Sequence, residues 1–204
     1  MISDKVLLST TYFGPVQWYQ KLHRAEHVII EQWESFQKQT YRNRCLIATT
    51  NGVQALTVPV EKSAECIKDL RISDHGNWRH LHWNALQSAY GESPFFEYYQ
   101  DDIRPFFEKR WTFLLDFNEA IRQKMCELID ITPSVSFSTA YITDPQAIAV
   151  SDFRTAINPK HPAQDNDFKA KTYYQVYQTK HGFLENLSVL DLLFNMGPES
   201  IFYL

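Results

Sequence analysis

Apolar runs of strand length and one helical pattern alternate along the N-terminal part of the chain. Residues 5–10 read KVLLST, which has the length of a buried strand, and His27–Glu31 is a second apolar run. Between them Gly14-Pro15 opens VQWYQKLHRA, and proline suits the first turn of a helix, where its missing N–H is not needed. A strand, a helix and a strand within about thirty residues predict a βαβ unit with parallel strands.

A hairpin is predicted next. Cys45–Thr49 and Val53–Val60 are apolar runs that flank Asn51-Gly52. Asn-Gly supplies the positive φ angles of a type I′ turn, which joins two antiparallel strands tightly. Alternating or apolar patterns predict further strands at Ile67–Ser73, Ser134–Ile142 and Tyr173–Tyr177.

Helical periodicity dominates the middle of the chain. A helix is predicted over 77–90, Pro94 breaks it, and FFEYY continues as a short helix. Pro105 begins the longest helical pattern, which runs to about residue 130. Residues 144–171, rich in Pro, Asp, Asn and Lys, are predicted to form a long loop.

A final helix is predicted at Ser188–Asn195, with Ser188 as its N-cap and Gly197-Pro198 as its stop signal. The patterns together predict an α/β fold. Its N-terminal βαβ unit and β-hairpin are expected to lie in one mixed sheet, with a helical segment (about 77–130) packed on that sheet. We expect residues 1–204 to form a single domain, in which 77–130 is a helical insertion or lobe.

The composition is that of an ordinary globular protein, with 204 residues, 44% hydrophobic and 22% charged. The net charge of −4 argues against nucleic acid as a partner, because nucleic-acid binders usually present a basic face. No run approaches the ~20 apolar residues of a spanning helix, so no transmembrane segment is predicted. Aromatic residues reach 15%, which suits either an aromatic-rich core or a pocket for a polar, ring-shaped ligand.

The three cysteines, Cys45, Cys66 and Cys126, are widely spaced and form no CxxC pair. Reduced thiols and a cytoplasmic location are therefore expected. Cys45 follows a cluster of cations and could be an activated thiolate, but its place at the start of an apolar run favours a buried, unreactive thiol. The sequence predicts no cofactor.

Positive charge and amide groups gather in QKQTYRNRCLI, residues 37–47 of this acidic chain. Lys38, Arg42 and Arg44 lie there with Asn43 between the two arginines. Arginine grips carboxylate or phosphate with two hydrogen bonds, and loops at strand ends are where α/β folds bind ligands. One interpretation is a subsite for an anionic small molecule. The other is a solvated loop whose arginines pair with Glu31 or Glu34.

A histidine on the helix at 77–90 is the candidate for proton transfer. His80 and His82 are two apart, so on a helix they point to different sides and cannot hold one metal ion together. Trp78 and His82 are four apart and share a face. His82 could act as a general acid or base, or it could be a hydrogen-bonded structural histidine.

Two other places carry weaker signals. Gln17 and Tyr19 lie near a helix N-terminus, where backbone amides attract anions. Asp191 lies inside an apolar helix, and a carboxylate there must be paired, because unpaired burial costs several kcal/mol. One predicted partner is Ser188, in a capping box. The preferred prediction is an arginine, Arg42 or Arg44, which the Asp191 carboxylate would hold in position from the side away from the ligand.

An ordered set of segments resembles the WbqC-like protein family, and its forms in Bacteroidetes-type bacteria most. These segments run from about residue 8 to residue 198. They are YFGPVQWYQKL, QKQTYRNRCLI, LTVPV, the Trp78–His82–Tyr90 series, YYQV and LSVLDLLFNMGP.

The resemblance implies a cellular context, since the family is named from its occurrence in O-antigen and polysaccharide gene clusters. The matching positions are Tyr12, Phe13, Gly14, Tyr19, Lys38, Arg42, Asn43, Arg44, Trp78, His82, Tyr90, Gln175, Ser188, Asp191, Asn195 and Gly197. The chain departs from the family where many members have a His-Gln-Pro run and this chain has Ser9-Thr10-Thr11. Compared with many members of the family, this chain also has a shortened segment before the final strand.

Two functions are therefore expected. The first is a group transferase (glycosyl-, acyl- or aminoacyl-type) in surface polysaccharide or envelope biosynthesis. In it, Lys38, Arg42 and Arg44 hold an anionic donor and His82 moves a proton. Its donor would be lined by Tyr12, Gln17, Tyr19, Asn43, Trp78, Tyr90 and Gln175, with Ser188, Asp191 and Asn195 behind them. The second is a non-catalytic partner protein of an envelope-assembly system, whose aromatic residues form an interface. The protein could also assemble as a homo-oligomer.

Overall fold

A computed structural model describes residues 5–61 and 64–204, and it confirms the N-terminal βαβ unit. Strand β1 is Lys5–Ser9, helix α1 is Val16–Arg24 and strand β2 is His27–Glu31. The two strands pair in parallel, with Lys5 opposite His27 and Ser9 opposite Glu31. The predicted α/β class is therefore confirmed at its first unit.

Two short strands complete a parallel sheet. Strand β5, Val135–Phe137, pairs with β2, and strand β6, Ser151–Asp152, pairs with β1. The order is β5-β2-β1-β6, with every pairing parallel. β5 is shorter than the predicted strand at Ser134–Ile142. β6 lies inside the predicted 144–171 loop, where two residues give no visible periodicity and only pairing with β1 reveals a strand.

The predicted hairpin is present as β3, Arg44–Thr49, and β4, Gly52–Thr57. Its turn differs from the prediction. Gly52 has a φ of +99°, whereas Asn51 is not among the described residues with positive φ. A type I′ turn needs positive φ at both central residues, so the glycine instead follows the turn at the start of β4.

The hairpin forms its own two-stranded sheet and does not join the parallel strands in one mixed sheet. Backbone groups on the edge of β3 that is not paired with β4 already have hydrogen-bond partners. The Ser188 N–H donates to the Leu46 carbonyl at 2.8 Å, and the Ala48 N–H donates to the Tyr90 hydroxyl at 3.3 Å. Because these groups satisfy the edge, no further strand is needed there.

The helical segment is confirmed, but its last predicted helix is divided. The helices are α2 (Trp78–Tyr90), α3 (Phe96–Ile103), α4 (Pro105–Glu108) and α5 (Leu114–Leu128). The division arises because the chain is extended from Lys109 onward and pairs with residues 70–72. The Ile72 N–H donates to Thr112 and the Leu114 N–H donates to Leu70.

The predicted strand at Ile67–Ser73 is wrong. A 3-10 turn occupies Ile67–Asp69, and only isolated bridges follow it. The alternation there reflects one-sided burial of Ile67, Leu70 and Ile72 against the core rather than a strand ladder.

The C-terminal part consists of α6 (Gln178–His181), α7 (Val189–Met196) and a 3-10 segment, Gly197–Tyr203. Ser188 is the N-cap of α7 as predicted, and its hydroxyl accepts from the Leu190 N–H. The predicted strand at Tyr173–Tyr177 is absent. Burial does alternate there, with Tyr173 and Gln175 buried and Tyr174 exposed, but the buried side chains bind Asp191 and no described strand pairs with the segment.

One cluster of buried apolar side chains contains residues of both sheets and of α2, α3, α5 and α7. Aromatic rings fill much of it. Tyr12, Phe107 and Trp78 are among the rings that meet edge-on, tilted or stacked at centroid distances of 4.7 to 6.5 Å. Much of the aromatic content is therefore core. Within the described residues, no helix combines the length and the apolar character needed to cross a membrane.

Candidate functional site

The carboxyl ends of the parallel strands bring polar side chains to one edge of the sheet. β1 ends at Ser9, β2 at Glu31 and β6 at Asp152, while Ser138 directly follows β5. In open α/β sheets ligands bind at this edge, because the loops that leave neighbouring strands surround a crevice there. The candidate site is therefore assembled from this edge.

A buried ion pair lies above the end of β1. Arg42 donates from Nε to Glu34 Oε1 at 2.8 Å and from Nη2 to Glu34 Oε2 at 2.5 Å. Nη2 also donates to the Ser9 hydroxyl at 2.8 Å. Arg42 is 3% exposed and Glu34 6%. Of the two interpretations of the arginine cluster, pairing with Glu34 is thus confirmed for Arg42.

A second arginine, Arg154, reaches the same edge from the loop after β6. Its Nη2 donates to Asp152 at 2.7 Å and its Nη1 to Glu31 at 3.3 Å. Glu31 is fully buried and also accepts from the Ser138 hydroxyl at 2.6 Å and from the Ile142 N–H at 2.9 Å. The ends of three strands are thereby joined in one polar network.

This network borders an open cavity of about 430 Å³, which we call the sheet-edge cleft. Two aromatic side chains line this cleft: Trp33 is 37% exposed and Tyr141 is 51% exposed. The Arg154 guanidinium carbon lies 4.9 Å from the centre of the Tyr141 ring. The cleft is lined by Trp33, Glu34, Ser35, Gln37, Arg42, Tyr141, Asp152, Arg154 and Thr155.

Arg42 offers the cleft a fixed donor. Its Nε and Nη2 are held by Glu34 and Ser9, but its Nη1 makes no hydrogen bond to any described residue. Nη1 is also not among the fully buried unpaired atoms of these residues, and Arg42 lines both the sheet-edge cleft and a much smaller cavity that Ser9 and Arg154 also line. A guanidinium held on one side and free on the other is pre-organised to bind an oxygen-bearing ligand.

Lys38, Asn43 and Arg44 line a different cavity, of about 580 Å³, which we call the hairpin groove. It lies beside the start of β3 and the end of β4, and Ser35 lines both this groove and the sheet-edge cleft. The predicted cation cluster is therefore divided between two neighbouring cavities. Arg42 faces one of them, and the other three residues face the second.

His82 lies in the core. It is 6% exposed, its Nδ1 is 2.9 Å from the Tyr12 hydroxyl, and its ring meets Trp78 edge-on at 5.2 Å. Burial lowers the pKa of His82 to about 4, although a backbone hydrogen bond to Thr57 opposes this shift. His82 lines neither cavity, so the expected convergence of His82 with the three cations in one hollow is not met.

Asp191 is fully buried and has neither of its predicted partners. Its carboxylate accepts from the Tyr90 hydroxyl at 3.0 Å, the Tyr173 hydroxyl at 2.7 Å and the Gln175 amide at 2.8 Å. The prediction of an arginine or the Ser188 side chain was wrong, because these neutral donors satisfy the carboxylate. Burial raises the pKa of Asp191 to about 6, and the three hydrogen bonds oppose that shift.

Most other predicted site residues are buried as well. Gln17 donates to Asp165 at 2.8 Å, Asn195 donates to the Asp191 carbonyl, and burial raises the pKa of the Cys45 thiol, which keeps it protonated. Six predicted substrate-binding residues are less than a tenth exposed and line neither cavity: Tyr12, Gln17, Tyr19, Trp78, Tyr90 and Gln175.

Sequence reasoning missed most of the residues that line the cleft, among them Trp33, Tyr141, Asp152 and Arg154. Asp152 and Arg154 fall in the segment that was predicted to be a loop, and no local motif marks them. A signal did exist, because Glu31 ends one predicted parallel strand and Ser9-Thr10 ends the other, and polar residues at such ends indicate a ligand-binding edge.

Comparison with known proteins agrees with the resemblance seen in the sequence. A model of the WbqC-like protein family matches residues 10–203. The uncharacterized protein Rv1507c of Mycobacterium tuberculosis is 26% identical over an alignment of 223 positions, which covers 97% of this chain and 96% of the relative. No solved structure matches the chain. Because this relative is mycobacterial, the Bacteroidetes-type assignment stays a prediction.

Proposed function

The chain belongs to the WbqC-like protein family, and from that premise we propose that it is a group transferase of bacterial surface polysaccharide assembly. Its sugar-bearing, anionic substrate would lie in the sheet-edge cleft. One observation carries the proposal. Charged side chains at the ends of neighbouring parallel strands line an open cavity, and two exposed aromatic rings border the same cavity.

The chemistry of the cleft suits the hydroxyl groups of a sugar. Arg42 and Arg154 bring two positive charges, and Glu31, Glu34 and Asp152 bring three negative charges. Because these charges nearly cancel, the cleft favours a neutral group with many hydrogen bonds over a free phosphate. Trp33 and Tyr141 each have a cation over one ring face, Lys68 Nζ at 3.5 Å and the Arg154 guanidinium at 4.9 Å, and a sugar ring could lie on the opposite face.

The anionic part of such a substrate has a place next to the cleft. Lys38 and Arg44 line the neighbouring hairpin groove, where Glu65 is the one carboxylate among its described lining residues. Since Ser35 lines both cavities, a ligand could place its sugar in the cleft and its phosphate or carboxylate towards these cations.

His82 is a poor candidate for proton transfer from this geometry, because it is buried against Tyr12 and lines neither cavity. The carboxylates of Glu34 and Asp152 line the cleft and are its candidate acid–base groups, but each is held by an arginine, Arg42 or Arg154. This arrangement also favours a second candidate function, a partner protein that binds the same ligand without turning it over.

A matched pair of tyrosine variants tests the proposed ligand site. We expect nucleotide sugars from a panel to raise the melting temperature of the protein, since a ligand stabilises the folded state by mass action. Tyr141→Ala should weaken that binding about tenfold, which corresponds to ~1.4 kcal/mol. Tyr98→Ala, at a tyrosine that is 74% exposed and lines neither cavity, is the control.

If Tyr141→Ala and Tyr98→Ala lose the same amount of binding affinity, the assignment of the ligand to the cleft is wrong. It is also wrong if no nucleotide sugar of the panel raises the melting temperature. For a ligand that does bind, incubation with radiolabelled nucleotide sugar separates the two functions. The sugar must pass to a nucleophile, so a panel of hydroxyl acceptors is added, with water as the default acceptor. Release of nucleotide at a rate above the protein-free reaction supports the transferase. Binding without release supports the partner protein.

A further inference from the structure

The hairpin groove combines three features that together describe a ligand. Its wall is mainly apolar, its charged groups are mostly cationic, and one of its buried polar atoms has no partner. The apolar part of the wall comprises Phe36, Val58, Pro59, Val60, Ala64 and Leu70.

The apolar wall has a floor of core side chains and sides formed by the partly exposed Phe36, Pro59, Val60 and Ala64. Val58 is fully buried and Leu70 is 2% exposed, so both belong to the core beneath the groove. A cavity of about 580 Å³ lies within the size range of sites that enclose small ligands, and such sites are mostly apolar with a few convergent polar groups. Covering this wall would remove apolar surface from water, which favours an occupant with an apolar body.

The two cations of the groove lack acidic partners. Neither Lys38 nor Arg44 forms an ion pair with any residue in the ranges 5–61 and 64–204. Arg44 is half-buried, and its Nε donates only to the Thr57 hydroxyl, at 3.0 Å. Glu65 also lines the groove, so the charges of its described residues sum to about +1 and favour an anionic group there.

Asn43 adds an acceptor that requires a donor. Its amide nitrogen donates to the Val58 carbonyl at 2.7 Å, which fixes the orientation of the amide. Its Oδ1 is buried and has no hydrogen-bond partner among the described residues. Asn43 is 5% exposed and lines the groove. Oδ1 has almost no accessible surface, so a ligand hydroxyl reaches it only if the wall of the groove shifts slightly on binding. Because an unpaired buried acceptor is costly, the new hydrogen bond would favour that shift.

We propose that the hairpin groove binds a single-chain amphiphile, with its apolar chain along Phe36, Pro59 and Val60, its anionic end at Lys38 and Arg44, and a hydroxyl group at Asn43. This inference rests on the proposed function for its biological meaning: the amphiphile would be the lipid part of the substrate whose sugar lies in the sheet-edge cleft. Hydroxylated acyl chains and isoprenoid phosphates share the apolar chain and the anionic end.

Calorimetric titration with simple amphiphiles, below their micelle concentrations, tests the groove without any sugar. Decanoate and farnesyl phosphate should bind, whereas decanol should bind about tenfold more weakly and decyltrimethylammonium should not bind measurably. The tighter of decanoate and farnesyl phosphate identifies the source of the chain. 3-Hydroxydecanoate should bind about threefold more tightly than decanoate, because it can donate to Asn43.

Variants locate the binding. The double variant Lys38→Gln/Arg44→Gln should weaken decanoate at least tenfold and leave decanol unchanged. Lys160→Gln, at an exposed lysine outside both cavities, should change neither. Equal affinity of decanoate and decyltrimethylammonium, or an unchanged affinity in the double variant, would overturn the site. If 3-hydroxydecanoate binds no more tightly than decanoate, the proposed role of Asn43 is wrong.

The two proposals fail in distinguishable ways. Tyr141→Ala should leave decanoate binding unchanged, because Tyr141 lines the sheet-edge cleft and not the groove. Loss of amphiphile binding with retained sugar binding would remove only the lipid assignment. Loss of sugar binding with retained amphiphile binding would remove the proposed function and leave a lipid site.

Discussion

At the scale of single residues, the sequence identified which side chains need partners but not which partners they have. Arg42 was predicted to matter and does join the sheet-edge network through Glu34. Asp191 was predicted to be paired, yet it binds Tyr90, which is 101 positions away, and Tyr173. Partners so far apart are set by the packing of α2 against α7 and carry no signal at local spacing.

The burial of His82 makes a pH-dependent prediction. Its pKa is about 4 in the folded protein and ~6.5 in an unfolded chain, so the unfolded state takes up the proton first as the pH falls. Stability contributed by the neutral imidazole is therefore full above about pH 6.5 and is lost between about pH 6.5 and 4. Urea unfolding at pH 7 and pH 4.5 should show wild type losing ~2–3 kcal/mol more than His82→Gln.

His161→Gln, at an exposed histidine, controls for the loss of an imidazole elsewhere. An identical pH dependence in wild type and His82→Gln would mean that His82 is solvated and able to titrate, as the original catalytic interpretation requires.

At the scale of elements, helix α2 was predictable from its pattern, whereas short strands and the division of the longest helical pattern were not. Helix α2 was predicted within a residue of its observed bounds, because thirteen consecutive residues display one periodicity. β6 has two residues, and only its pairing with β1 makes it a strand. The segment before α5 is extended because Leu70 and Ile72 pair with it, which no pattern in the segment itself predicts.

The end of α7 provides an element-scale prediction. Gly197 has a φ of +54°, and a Cβ there would lie 2.6 Å from the Phe95 ring. Gly182 has a φ of +72° but nothing within 4 Å of the same position. Gly182→Ala should cost ~1–3 kcal/mol through backbone strain, and Gly197→Ala should cost ~1–3 kcal/mol more through overpacking.

Chemical denaturation of both variants measures the difference directly. If Gly197→Ala is no less stable than Gly182→Ala, Phe95 moves away freely, and the contact between the α3 start and the α7 end does not fix the helix terminus.

At the scale of the whole molecule, the sequence predicted an α/β fold but could not predict its cavities. The sheet-edge cleft needs the loops after β2, β5 and β6, and Arg42 from before β3, and these segments meet only in the folded chain. The same packing divides the 37–47 cluster, so that Arg42 faces the cleft and Arg44 faces the hairpin groove. The site is thus a property of topology, whereas its individual residue types were readable locally.

The central claim is that the charged cleft at the carboxyl end of the parallel sheet binds the substrate, and one paired substitution tests it most directly. Arg42→Gln alone leaves Glu34 buried without its cation and should cost ~3–5 kcal/mol of stability. Adding Glu34→Gln removes both charges and should recover most of that stability, because a neutral pair of similar shape can be close to isoenergetic.

Calorimetric titration of the stable double variant Glu34→Gln/Arg42→Gln with the nucleotide sugar that binds wild type is therefore the decisive measurement. We predict at least a tenfold loss of affinity in a protein that remains folded, because the fixed guanidinium that lines the cleft is gone. Full wild-type affinity in the folded double variant would contradict the account and move the ligand away from the sheet edge.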